Sequence, residues 1–140
     1  MKYLITIYQP LNPTFRVDKS VSTYFMDDYK VVFTEEVDES VYGGQTDNQI
    51  LEGLFTRFNM GNYPESYKGH SLSVGDIVKI ELIDPEQECF IPEEEKVVPA
   101  TMREDAFICC NFGWKKVEFT TNQAYLESAD AELYNQMMGY

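Results

Sequence analysis

SLSVGDIVKIELI, residues 71–83, decides the fold class. Ile77, Val78, Ile80, Leu82 and Ile83 form a β-strand, since branched aliphatic side chains suit a pleated, buried surface. The lead-in alternates polar Ser71 and Ser73 with apolar Leu72 and Val74, then turns at Gly75-Asp76. A glycine there permits the sharp turn, and the Asp76 carboxylate ties down neighbouring backbone amides. The motif therefore reads as structural. Pro85 is expected to close the strand.

Upstream, Thr46 and Gln49 fit a capping box, in which hydroxyl and carboxamide satisfy opposite free backbone donors. Ile50, Leu51, Leu54, Phe55 and Phe58 recur at helical spacing, and Asn59 and Gly61 supply a stop, which predicts a helix over Asp47–Asn59. Tyr3–Gln9 alternates as an opening strand, ended by Pro10, Asn12 and Pro13. Phe15 and Val17 suggest a short second strand. Tyr24–Met26 precedes an Asp27-Asp28 turn, and Tyr29–Val37 reads as another strand. Downstream, Ala106–Phe112 and Lys115–Phe119 flank a glycine-containing turn and read as a hairpin. A tail helix over 122–138 is expected from a cap at Thr121-Asn122 and the stripe Tyr125, Leu126, Ala129, Leu133, Met137. The expectation is α+β: one domain over 1–140, mostly antiparallel sheet, with a central helix and a C-terminal helix.

Length and composition agree with one folded domain of 140 residues, 44% hydrophobic and 14% aromatic. The ten Tyr and nine Phe favour strands. Against 24 Asp and Glu stand 11 Lys and Arg, for a net charge of −13. Such a chain repels nucleic-acid backbones and anionic lipid, so no direct nucleic-acid or membrane partner is expected. It favours a host protein with a basic surface or groove. The bland alternative is that acidity only maintains solubility. Cys89, Cys109 and Cys110 are too few and too oddly spaced for a disulfide framework, and read as buried free thiols. The N-terminal MKYLITIYQPLNP lacks the long apolar run and cleavage site of a signal peptide, and no stretch is long enough to span a bilayer. A cytoplasmic protein is expected.

Catalytic and metal signatures are weak. His70 lies near Ser71, Ser73 and Asp76, but a triad is defined by geometry and no G-x-S-x-G elbow is present. Catalysis would need His70 and Asp76 to converge in a pocket with perturbed ionisation. Cys109-Cys110 is vicinal, so its thiols point to opposite sides of a strand and cannot readily share an ion. Gly43-Gly44 lacks the phosphate-loop lysine, and the acidic runs lack calcium-loop spacing. No enzyme activity, cofactor or metal is expected.

Two candidate binding surfaces remain. One is acidic: Glu35, Glu36, Asp38, Glu39 and Asp47, with Glu86, Glu88, Glu93, Glu94 and Glu95. The other is aromatic: Tyr42, Tyr63, Tyr67 and Trp114, in loops or turns where large amphipathic rings commonly anchor partners or else cover the core edge.

The runs Leu54–Asn59, Tyr67–Val78 and Phe112–Val117, with Ile5–Gln9, resemble the YodL-like domain. The central Ser-Leu-Ser-Val-Gly-Asp-Ile-Val run is the most specific part, and the resemblance covers most of residues 3–119. The tail and the acidic runs at 27–39 and 86–95 fall outside it. The resemblance implies two settings: a small Bacillus-type protein whose overproduction perturbs the actin-like cell-shape filament, and mobile elements or phages, often beside antirestriction genes. It implies no catalytic residue. The leading expectation is an acidic, non-enzymatic inhibitor that blocks a restriction or CRISPR effector by charge mimicry of nucleic acid. The alternative is a modulator of the cell-shape cytoskeleton.

Overall fold

The computed structural model describes residues 1–60, 64–124 and 126–127. Six strands form one sheet: β1 (Lys2–Pro10), β2 (Thr23–Phe25), β3 (Tyr29–Asp38), β4 (Ile77–Ile91), β5 (Lys96–Cys110) and β6 (Gly113–Thr120). Their order is β2-β6-β5-β4-β1-β3, antiparallel except for the parallel β2–β6 pair. One helix, α1 (Asp47–Arg57), lies between β3 and β4 in sequence. The expected α+β class is what the chain adopts.

Alternation along the central strands builds a core on each side. Ile5, Ile7, Val78 and Ile80 meet Ile50, Leu51 and Leu54 of α1, with Phe33, Phe58 and Leu72 filling in. The opposite side gathers Tyr8, Ile77, Ile108 and Val117 under Tyr24 and Tyr29. Residues 12–26 cover that side, with Phe15, Val17, Val21 and Met26 packed onto it.

The capping box forms as read. Thr46 Oγ1 accepts from Gln49 N at 3.2 Å and Gln49 Oε1 accepts from Thr46 N at 2.9 Å. The helix stops at Arg57, and Asn59 ends it by donating its Nδ2 to the carbonyls of Phe55 and Leu72.

Three expectations need correction. Phe15 and Val17 form no strand: an irregular segment presents them to the core, and Phe15 meets Tyr24 and Tyr29 edge-on or tilted at about 6 Å. Pro85 does not close β4. The register passes from Asp84↔Ala100 directly to Glu88↔Pro99, so Pro85, Glu86 and Gln87 bulge out and the strand resumes to Ile91. A bulge is where a strand tolerates a residue without an N–H. Finally, β5 begins at Lys96, ten residues before its expected start, because pairing with β4 carries it through a largely exposed stretch containing Pro99. Of the expected tail helix, residues 122–124 and 126–127 are helical, and the stretch from 128 lies outside the described residues.

The segment before β4 is sewn to β1 at Gly69. A Cβ there would lie 2.1 Å from Gln9 Oε1 and 2.9 Å from Val32 Cγ1. Gln9 is fully buried and hydrogen-bonded, so it cannot yield. Gly69→Ala is expected to cost about 1–3 kcal/mol by overpacking. Gly53→Ala, in α1 with open space around it, is expected to gain up to about 1 kcal/mol. Urea denaturation of both variants checks this contrast.

Candidate functional site at the acidic end of the sheet

The pairing register decides where the acidic runs meet. Asp38 of β3, Lys2 of β1, Ile83 of β4 and Thr101 of β5 lie in one row across the sheet. Beyond that row β1 and β3 end, while β4 and β5 continue as a two-stranded ribbon to the turn at Pro92–Glu95. Glu35, Glu36, Asp38 and Glu39 therefore sit at the same end of the sheet as the ribbon. Asp47, at the start of α1, joins them through an ion pair to Arg103 of β5.

Half of these ten carboxylates are spoken for. Glu35 pairs with Arg57 at 2.9 Å, Glu36 with Lys2 at 3.1 Å, Glu39 with the N-terminal amine at 3.5 Å and Glu94 with Lys96 at 2.8 Å. Asp47 is the fifth. Asp38 has no cation within 4 Å among the described residues; it accepts from Ser40 N at 3.0 Å, and the Ser40 backbone and hydroxyl lower its pKa. Glu86, Glu88, Glu93 and Glu95 are exposed, with no cation within 4 Å among the described residues. Of the five in this set without a cation partner among the described residues, four lie on the ribbon. Asp18 and Asp28 lie toward the other end of the sheet, where Asp18 accepts from Ser20 and the Asp28 carbonyl accepts from Leu11 N. Glu118, in the same row as Glu35 by register, accepts from Thr23, and Asp27 accepts from Asn122 N.

One ribbon feature escaped the sequence reading. Phe90 and Val97 are direct cross-strand partners, 61% and 54% exposed, within the acidic rim. In sequence Phe90 and Val97 lie on either side of the Pro92–Glu95 turn, and only the pairing of β5 sets them side by side. Cys89 is exposed on the same ribbon, contrary to the buried thiol expected. Cys109 is buried, and desolvation pushes its thiol up to about 11; Cys110 is half-buried.

The aromatic candidates do not form one patch. Tyr42 packs edge-on against Tyr3 at 5.6 Å, and Tyr67 stacks on Phe58 at 4.7 Å. Trp114 leans on the α1 side of the core. Tyr63 lies outside the described residues.

His70 and Asp76 do converge, with Gln9 between them. Gln9 Nε2 has two hydrogens and several neighbours. The shortest bonds run to His70 O at 2.9 Å and Asp76 Oδ2 at 3.0 Å. Ser73 N donates to the same Oδ2 at 2.9 Å. His70 Nδ1 lies 2.7 Å from Ser71 O, the spacing of a donor to that carbonyl, and Tyr67 donates its hydroxyl to His70 O. Ser73 Oγ donates to Ser71 O at 2.7 Å. Gln9 thereby holds the loop to β1 through His70 and Asp76, while the bonds among His70, Ser71, Ser73 and Asp76 tie the loop to itself. His70 and Asp76 also line a cavity of about 190 Å³ with Asn12, Phe15 and Arg16. Burial lifts the Asp76 carboxyl to about 6, against the pull of the Ser73 N–H, Gln9 and His70. Among the described residues no group of three or more His, Cys, Asp or Glu is arranged to hold a metal ion, and no helix is long and apolar enough to cross a membrane.

Compared with known proteins, residues 7–91 match the family model of the YodL-like domain. That span runs from β1 through β4 and includes α1 and the Gly69–Asp76 loop. No curated protein and no solved structure matches the chain.

The Asp76 environment makes stability pH-dependent. Folded Asp76 keeps its proton up to about pH 6, whereas an unfolded aspartate releases it near 3.8. The folded state therefore binds more protons between these values, and its stability falls as pH rises through that window. The expected loss at neutral pH is roughly 3 kcal/mol relative to pH below 4. Asp76→Asn has no titrating proton there, so its stability difference from wild type should change by about that amount between pH 4 and 7. Denaturation curves across that range measure it, and parallel profiles for the two proteins would refute the assignment.

Proposed function

The chain belongs to the YodL-like domain family, and from that premise we propose that it is a non-enzymatic inhibitor that binds a nucleic-acid-handling host protein by charge mimicry. On this reading its target is a restriction or CRISPR effector, its origin is a phage or mobile element, and it works in the host cytoplasm. The β4–β5 ribbon enters the target's cationic groove, where its carboxylates take the place of phosphates. The observation that carries the proposal is the concentration of unpaired carboxylates on the ribbon: Glu86, Glu88, Glu93 and Glu95 have no cation partner among the described residues, and Asp38 stands at the same end. Six carboxylates and one lysine lie between Asp84 and Pro99. Such a field speeds encounter with a basic surface and is screened by salt.

The cytoskeletal alternative draws less support. It needs a free aromatic patch, and Tyr42, Tyr67 and Trp114 are engaged with the core. The best opening for an enzyme is the His70–Asp76 cavity, but Asp76 accepts from Gln9 and Ser73 N, and His70 Nδ1 lies against Ser71 O.

Gel-shift competition against purified restriction endonucleases and RNA-guided nucleases tests the proposal. The protein should displace DNA from at least one of them, and inhibition should weaken as salt rises from about 50 to about 200 mM. Reversing Glu93, Glu94 and Glu95 to Lys together should cost about 100-fold in affinity with circular dichroism unchanged. His70→Ala should inhibit as wild type does. Inhibition that survives the triple reversal, or no inhibition of any of these enzymes, would sink the idea.

A further inference from the structure

At the opposite end of the sheet, the β5–β6 turn and the 17–19 segment enclose a cavity of about 390 Å³. Its apolar walls come from Val17, Cys110, Phe112 and Trp114, and its polar groups include Lys19 and Lys115. A cleft of this size, mostly apolar with a few placed polar groups, is the usual form of a small-molecule site. Phe112 is 95% exposed, so one wall is an aromatic ring standing in water. Covering that ring with a ligand's hydrocarbon removes apolar surface from solvent.

The lysines supply the other half of the recognition. Lys115 Nζ donates to Lys19 O and Val21 O, both at 3.0 Å. An ammonium has three N–H groups, so one remains, held in place by the other two. Neither Lys115 nor Lys19 has a carboxylate within 4 Å among the described residues, although acids outnumber bases 24 to 11 along the chain. Asp18 lies near enough to feel Lys115, but its Oδ1 is taken by Ser20. The pair is thus an anchored cation and an exposed one beside an apolar cleft, which calls for an anionic head on an apolar body.

We propose that this cavity binds a medium-chain alkyl carboxylate, its hydrocarbon against Val17, Phe112 and Trp114 and its carboxylate on Lys115 with Lys19 beside it. The site is independent of the acidic end and stands or falls separately from it.

Trp114 is the only tryptophan, so its fluorescence reads the site directly. Decanoate, decanol and decyltrimethylammonium are titrated below their aggregation limits, with calorimetry in parallel. Decanoate should bind saturably at one site. Decanol should bind at least about tenfold more weakly, the worth of one charge-assisted hydrogen bond, and the cation should not bind saturably. Lys115→Met should abolish the preference for decanoate over decanol. Because that change also frees the loop carbonyls, Lys19→Met is a second variant that keeps the backbone contact, and it should reduce the preference several-fold. Equal affinity for decanoate and decanol, no saturable binding, or an unchanged preference in both lysine variants would overturn the site. So would saturable binding of N-acetyl-trileucine with none of decanoate, since the occupant would then be a peptide terminus.

Discussion

The buried carboxamide of Gln9 is the contact on which the arrangement of the chain depends. It sits on β1, between β4 and the edge strand β3, and bonds both to the backbone of His70 and to the side chain of Asp76. A buried amide of this kind must be fully satisfied, because each unpaired donor or acceptor costs about 1–3 kcal/mol. Satisfying it fixes the loop from Tyr67 to Asp76 against β1, and Gly69 has no side chain because the carboxamide already fills that space. Fixing Asp76 delivers Ile77 opposite Tyr8, and every later pair of β4 with β1 follows from that register.

The register of β4 then sets the reach of the ribbon. Because β4 and β5 are each 15 residues long and β1 only nine, the pair outruns its neighbours on one side. The family motif and the acidic ribbon are therefore opposite ends of one strand: the motif anchors it and the carboxylates ride on its free end. A structural role for Ser71–Asp76 and the binding role proposed for Glu86–Glu95 are thus compatible within one strand.

The elements that the sequence made legible were those with local signals. The capping box at Thr46 and Gln49, the alternation of Tyr3–Gln9, and the glycine turn before Trp114 all declare themselves within a few residues, and all are present. What stayed hidden depends on partners far along the chain. Pro85 carries a strong local stop signal, overridden by pairing that resumes at Glu88. Lys96–Asp105 has no apolar alternation of its own and is a strand because β4 lies beside it. The acidic runs were legible as residues, but their position at one end, and the ion pairs that occupy half of them, appear only in three dimensions. The aromatic candidates failed to form a patch for a related reason: rings in loops next to strands had core neighbours that no local window shows.

The parallel pairing of β2 with β6 has a consequence for how the protein is made. Thr23 lies beside Glu118, 95 positions later, so the edge strand cannot be completed until nearly the whole described chain has left the ribosome. Until then Tyr24, Phe15 and Val21 have no β6 to lie against, and one side of the sheet is open. Contacts of such sequence separation slow folding and lengthen the interval in which apolar surface is available to other chains. A surplus of like charge keeps neighbouring nascent copies apart during that interval, so the acidity serves synthesis before it serves any target.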